Sequence, residues 1–423
     1  MSRTGLLWRP GIAVCGLAVL TAGGCPTPSQ PVTPPYNNTT DPTNGKAHYV
    51  GANVCASCHA DIASKHAIHG HAFLLNPVEG VAPVYPSQAA SAGVPNPPDG
   101  YTWNDVAYVL GGMRRKAKFI DREGFILVPR IAGVPTQWNL RFAPNGTAAG
   151  FAEPPSSASA PVPYAYECFR CHTTGPAPSD PAHPTFQDNR PGLQGTWQEP
   201  GVQCEACHGP GSNHLPDPSA RSLYVNAAVC GDCHSRPFRA ADGVIRAKAG
   251  YIRNHEQAAE LRASGGHTAF ACTVCHDPHT SVTADRTSAL VKACRDCHAD
   301  RNMALHNGAV FVRDDYVETV DCLSCHMPYA TRSATAATTA VAGPLGRIGD
   351  IRTHIFRIST RAETYAAFFS DDGLSVRTDA NGKAAVTVDF VCLRCHNAIG
   401  NAFDMTVKAA AAVTTAGGGM HAR

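Results

Sequence analysis

The chain has 423 residues, of which 16% are charged and 43% hydrophobic, and 35 Lys and Arg against 33 Asp and Glu give a formal charge of +2. With no basic stripe in so balanced a sequence, there is no electrostatic footing for nucleic-acid binding. The 38 glycines, 33 prolines and 18 cysteines point to a loop-rich chain, although length alone would allow two or three domains.

Residues 1–24 read as an export signal. Arg3 and Arg9 supply the positive start, and Gly11 to Leu20 an apolar run too short to span a bilayer. The following Leu20-Thr-Ala-Gly-Gly-Cys25 resembles a bacterial lipobox, with Ala22 standing where that pattern prefers Leu. Cys25 is therefore the expected lipidation site and the start of the mature chain, anchored to a membrane. Residues 25–47, rich in Pro, Thr and Asn, read as a disordered tether.

Tyr49-Val-Gly opens the folded part, and residues 48–167 form the first-site region. It starts with Cys55-Ala-Ser-Cys58-His59, followed by a helical run from His59 to Phe73 carrying His66, His69 and His71. His66 and His69, one turn apart, can share a face. Residues 77–167 contain neither Cys nor His and read as a small β-containing insert, a structural lid over the first site. Within it Trp103 to Leu110 is expected as a short helix and Lys116 to Pro129 as a hairpin around a Gly-containing turn. Trp138 to Phe142 is a further strand, and Pro154 to Pro163 a linker.

Residues 168–330 are the dense core. Six copies of one pattern follow one another there: Cys168-x-x-Cys171-His172, Cys204-x-x-Cys207-His208, Cys230-x-x-Cys233-His234, Cys272-x-x-Cys275-His276, Cys294-x-x-Cys297-His298 and Cys322-x-x-Cys325-His326. Glu256 to Ser264 is helical in composition. Residues 331–408 form a C-terminal region with an Ala/Thr-rich stretch, a strand-like Ile351 to Phe356 and a second hairpin over Val376 to Phe390, turning at Asn381-Gly382. It ends with the eighth copy, Cys392-x-x-Cys395-His396. Residues 409–423 read as a frayed tail.

C-x-x-C-H is the attachment pattern of c-type haem. Two thiols add to the porphyrin vinyl groups, and the adjacent His becomes the proximal iron ligand. Zinc ribbons and redox motifs use C-x-x-C without an obligatory His after it, so eight copies all followed by His predict eight covalently bound haems. Sixteen of the 18 cysteines are thereby used, and the other two, Cys15 and Cys25, lie in the leader. About 26 residues per haem in the dense core are too few for an ordinary side-chain core. The expected fold is therefore mainly α and irregular, packed around haem, with few short strands. Of 20 histidines, eight are proximal, which leaves twelve for eight sixth positions.

Several stretches resemble the multihaem cytochrome c superfamily that contains cytochrome c-554 and hydroxylamine oxidoreductase. They are Tyr49-Val-Gly with the first motif, Cys204-Glu-Ala-Cys-His-Gly-Pro-Gly-Ser-Asn-His214, Cys272-Thr-Val-Cys-His-Asp-Pro-His279, Cys322-Leu-Ser-Cys-His-Met-Pro328 and Asp350-Ile-Arg-Thr-His354-Ile-Phe. The resemblance implies distal ligands at His71, His214, His279 and His354, and closely packed haem pairs. Position adds His267, His306 and His255. The eighth stays open among His48, His66, His69, His183 and His421.

Two function classes follow. The first is an exported octahaem cytochrome, periplasmic or at the bacterial cell surface, relaying electrons to or from redox partners such as a membrane quinol oxidase or other cytochromes. It would act alone or as an oligomer or filament. The alternative is an oxidoreductase acting on a small nitrogen or sulfur compound at one open-site haem. It needs an iron without a sixth ligand, and the chain lacks both a C-x-x-C-K motif and a Tyr after the last motif.

Overall fold

A computed structural model describes residues 46–130, 133–152, 161–219, 229–236, 243–301, 303, 305–334, 347–415 and 420–421. The leader, Cys25, nearly all of the tether, most of the 154–163 linker and most of the Ala/Thr-rich stretch lie outside them.

The largest regular element is the insert. Its seven-stranded antiparallel sheet runs β1 (Leu75–Pro77), β2 (Val106–Gly111), β3 (Lys116–Asp121), β4 (Phe125–Ile126) and β7 (Val162–Pro163). On the other side β5 (Gln137–Asn139) joins β3 and β6 (Gly150–Ala152) joins β5. The expected hairpin is β3–β4, and the expected strand near Trp138 is β5. The helix expected over Trp103 to Leu110 is not formed. Only Trp103–Asp105 make a 3-10 turn, and β2 begins at Val106. Val106, Ala107, Tyr108 and Val109 are all buried, so this run packs on both faces of the sheet. That environment favours β-branched and aromatic residues over a helix.

The insert is more than a lid over the first site. β7 leads into Tyr164 and the helix Tyr166–Phe169, which carries Cys168 of the second motif. Tyr164, Phe169, Leu193 and Trp197 pack with Leu75, Tyr108 and Ile120 in one apolar cluster. The insert is thus fused to the second site. Gly192 allows this by lying against the β3–β4 turn, where a Cβ would fall 2.4 Å from the Gly124 carbonyl carbon.

Two other apolar clusters lie within the insert, around Val106, Phe119 and Leu127, and in the C-terminal region, around Ile252, Ile355, Phe368 and Phe390. The second hairpin expected there is replaced. Asn381-Gly382 does turn, with Asp379 accepting from the Asn381 and Lys383 amides. The flanks pair elsewhere, however: Val376 donates to Ile245 and Val386 to Arg357, and Val388–Val391 is helical. The tail carries the longest helix among the described residues, Val407–Thr415, with Ala410 and Ala411 buried. Short helices and short strands are therefore mixed throughout the described residues, which corrects the mainly α expectation and its few strands. Beside these side-chain clusters the described residues enclose a cavity of about 2600 Å³.

Candidate functional site

Each C-x-x-C-H segment is close to one helical turn. The His amide bonds back to the carbonyl of the first Cys at the first, fourth, fifth, sixth and eighth copies, at 2.9–3.0 Å. Residues three and four apart share a helix face, so both thiols and the imidazole of a motif point the same way. Fifteen of the sixteen motif cysteines carry free thiols.

Every motif histidine faces a second histidine drawn from elsewhere in the chain. The ring centroids of His59 and His214 lie 6.3 Å apart, His172 and His255 6.4 Å, His208 and His279 6.1 Å, and His234 and His71 6.2 Å. His276 and His354 are 6.2 Å apart, His298 and His267 5.8 Å, His326 and His421 5.7 Å, and His396 and His306 6.2 Å. Two imidazoles bound to opposite faces of one metal, at about 2.0–2.1 Å per bond, set their centroids roughly 6.3 Å apart. The eight gaps match that span, and so does a ninth, since His255 also stands 6.2 Å from His234.

The ring nitrogens are oriented to suit. Nδ1 of His326 faces the Phe356 carbonyl at 2.9 Å, and Nδ1 of His396 the Phe403 carbonyl at 2.9 Å. Nδ1 of His234 faces Gln257 Oε1 at 3.2 Å, and Nδ1 of His172 the Tyr164 hydroxyl at 3.0 Å. An acceptor at Nδ1 holds the proton there and leaves the Nε2 lone pair for a metal. Between His326 and His421 the two Nε2 atoms point at each other. Burial lowers the pKa of His172 to about 4 and of His354 to about 3, so both are neutral near pH 7, the form that ligates. Paired imidazoles with thiols on the same face fit a haem c group at every motif but the sixth, where Cys297 is disulfide-bonded, and the cavity is lined by residues of the second to seventh motifs.

All seven expected partners, His71, His214, His255, His267, His279, His306 and His354, stand opposite a motif His, and His421 is the eighth. His71 faces the fourth motif rather than the first, whose helix it follows. Of the four left over, His48 and His183 are exposed. His66 contacts the Val202 carbonyl and stacks on His69 at 5.9 Å, with rings 5° from parallel.

The motifs touch one another through their sulfurs. Thiols of the first and third sites meet at Cys55 and Cys204, of the second and fourth at Cys171 and Cys233, of the fourth and fifth at Cys230 and Cys272, and of the sixth and seventh at Cys294 and Cys322. Cys207 lies near Cys230 and Cys233, Cys275 near Cys294, and Cys325 near Cys392. Sulfur contacts thus link the first motif to the third, the second and the fifth to the fourth, and the sixth to the seventh.

Buried carboxylates fasten the joints. Glu205, inside the third motif, accepts from the amides of Val50, Gly51 and Gly211 at 2.7–3.1 Å, tying the first motif to the third. Glu318 binds Arg394 of the eighth motif through both terminal nitrogens at 2.7 and 2.8 Å, and Ser324 Oγ of the seventh at 2.6 Å. Glu260 accepts from Thr331, Thr353 and the His354 amide, and burial raises its carboxyl to about 7. No sequence signal marks these three as joints, since each has partners 70 or more residues away along the chain. The β2–β3 turn also sends Arg114, Arg115, Lys116 and Lys118 to the cavity wall, a role hidden in the sequence behind an ordinary basic run.

Residues 155–209, spanning the second and third motifs, match the family described as "Cytochrome c554 and c-prime". No curated protein matches. Among solved structures, the octahaem sulfite reductase MccA of Wolinella succinogenes is similar in fold at TM-score 0.52 and 17% identity, over 86% of this chain and 67% of that one. The outer cell wall cytochrome OcwA aligns at TM-score 0.45 and 17% identity, over 78% of this chain and 82% of that one. The undecahaem S-layer cytochrome of Carboxydothermus ferrireducens aligns at 0.40 and 17%, over 74% and 52%.

Proposed function

We propose that this multihaem c-type cytochrome carries eight haems, each held by its C-x-x-C-H motif and by the facing histidine, and that it relays electrons along the linked sites. The observation that carries the reading is the complete set of eight histidine pairs at 5.7–6.4 Å. Bound haem supplies reversible one-electron chemistry. The polypeptide supplies everything else. Each motif histidine and the histidine facing it would hold the iron between them and leave no seat for substrate, and the chain fixes neighbouring sites through their sulfurs and through Glu205 and Glu318. It also neutralises acidic edges with the cations of the β2–β3 turn. Filled axial positions favour relay over the oxidoreductase alternative.

The leader and the thioether chemistry support an exported protein, with Cys25 as lipid anchor. No helix among the described residues is long and apolar enough to cross a membrane. The protein's partners are other redox proteins, and they meet it where the linked sites reach the surface. At the first site His59 and Cys58 are exposed, and beside the eighth Phe403 is 68% exposed against the His396 ring.

The test is low-temperature EPR of the oxidised holoprotein, with haem counted by pyridine haemochrome and mass. Eight low-spin irons unmoved by cyanide, nitrite or hydroxylamine are expected. A high-spin signal that shifts with added ligand would remove the relay reading and reopen the enzyme.

A further inference from the structure

Three features mark the second site. It meets the fourth site at Cys171 against Cys233. Its proximal histidine has a phenol at Nδ1, Tyr164, where His326 and His396 have backbone carbonyls and His234 a side-chain amide carbonyl. Tyr164 is fully buried and offers a weaker acceptor than a carbonyl, so His172 keeps less anionic character and donates less electron density. Finally, two cations are pinned around its distal histidine. Arg236 Nε donates to the Asn254 carbonyl, one residue before His255, at 2.7 Å. Lys116 Nζ donates to the Ser333 carbonyl at 2.5 Å, and Asn254 Nδ2 donates to Ser333 Oγ at 3.2 Å. One polar network thus holds both charges in place, and the positive charge of both acts on His172 and His255.

The fifth site carries opposing influences: its distal histidine, His354, has the fully buried Glu260 carboxyl 3.9 Å from Nδ1, and the Arg114 cation acts on both His276 and His354. A weak acceptor and nearby cations favour the reduced, less positive iron, whereas a carboxylate favours the oxidised one.

We infer that the second site is the highest-potential centre, an electron store beside the fourth site, held there by Tyr164, Lys116 and Arg236. Filling it moves one electron from the fourth site to the second, which leaves the fourth oxidised and the second reduced. No bond forms or breaks and no proton moves. The inference rests on the relay reading.

The test is a spectroelectrochemical titration of the holoprotein with EPR on poised samples, comparing wild type with Lys116→Gln, Arg236→Gln, Tyr164→Phe and the surface control Arg361→Gln. In wild type, the component reduced first is expected to be a single low-spin signal. Lys116→Gln and Arg236→Gln should each weaken its electron affinity by up to about tenfold, a downward shift of about 59 mV for one electron. Tyr164→Phe removes the acceptor and should move that same component upward, with the others unchanged. Arg361→Gln should move none. The assignment is overturned if the first-reduced component ignores the two cation variants, or if Tyr164→Phe moves a different component. Should Arg236→Gln fail to fold, Lys116→Gln and Tyr164→Phe decide between them by their opposite shifts. Failure of the relay reading would look different, as a wild-type protein with a ligand-sensitive high-spin iron.

Discussion

Removing the Glu318 carboxylate charge should loosen the joint between the seventh and eighth sites. Glu318 is 8% and Arg394 3% exposed at their side chains, and they meet through two hydrogen bonds. Tyr316 and Ser324 donate to the same carboxylate, and Arg352 approaches it at 3.3 Å. Burial opposes ionisation of Glu318, but the Arg394 hydrogen bonds and charge outweigh it and hold the carboxyl well below its usual range. In Glu318→Gln the arginine stays buried with its charge uncompensated. Breaking a buried pair in this way costs about 3–5 kcal/mol, or roughly two to three and a half decades in the unfolding equilibrium. The assay is denaturant unfolding of the holoprotein followed by near-UV and Soret dichroism, beside Arg352→Gln, which removes the longer contact and the Arg352 bonds to the Leu323 and Met327 carbonyls but leaves the Glu318–Arg394 pair intact, and should cost less than Glu318→Gln. The pH dependence has a definite sign. Because the folded pKa is depressed, the carboxylate contribution is fully present above the unfolded value of about 4.3. It is lost as pH falls from there through the folded value. Wild type and Glu318→Gln should therefore differ most near neutrality and converge in acid. A Glu318→Gln protein as stable as wild type at pH 7, or a gap that widens on acidification, would refute the reasoning.

Three further outcomes are expected. His421→Ala should convert one low-spin iron in eight to a high-spin, cyanide-binding form, read by EPR, because His421 is the histidine facing His326. In Glu205→Ala the amides of Val50, Gly51 and Gly211 lose their charged acceptor. At about 1.5–3 kcal/mol per such bond the segment before the first motif should come loose, seen as faster proteolysis near residues 46–52. Gly192→Ala drives a methyl against the Gly124 carbonyl carbon and should cost about 1–3 kcal/mol by overpacking, measured as a lower Tm without loss of haem.

Much of the site was legible in the sequence and much of the fold was not, for one reason. C-x-x-C-H places its three functional atoms within a single turn, so five residues suffice to announce it. A facing histidine is chosen by three-dimensional proximity, and only those inside familiar local strings, such as His214 and His279, stand out. His421, in an Ala- and Gly-rich stretch, carries no local signal at all. The strands of the insert are two to six residues long, too short for alternation to separate β2 from a helix when all of Val106 to Val109 is buried. Asn381-Gly382 announced its turn correctly, but a turn does not say what its arms will pair with. Here the arms are claimed by Ile245 and Arg357.

Taken as cross-links, the eight histidine pairs overlap along the chain like roof tiles. The span from His59 to His214 overlaps that from His71 to His234, then His172 to His255, His208 to His279, His267 to His298, His276 to His354, His306 to His396 and finally His326 to His421. The later members close strictly in order from the amino-terminal side. A chain threaded through a membrane head first could therefore shut each clasp soon after its second half emerges, without waiting for the rest. Once shut, every stretch from 59 to 421 lies under at least one clasp. With the proposed haems bound, opening a single one would free only a short flap, and unravelling from either end would break iron bonds one after another.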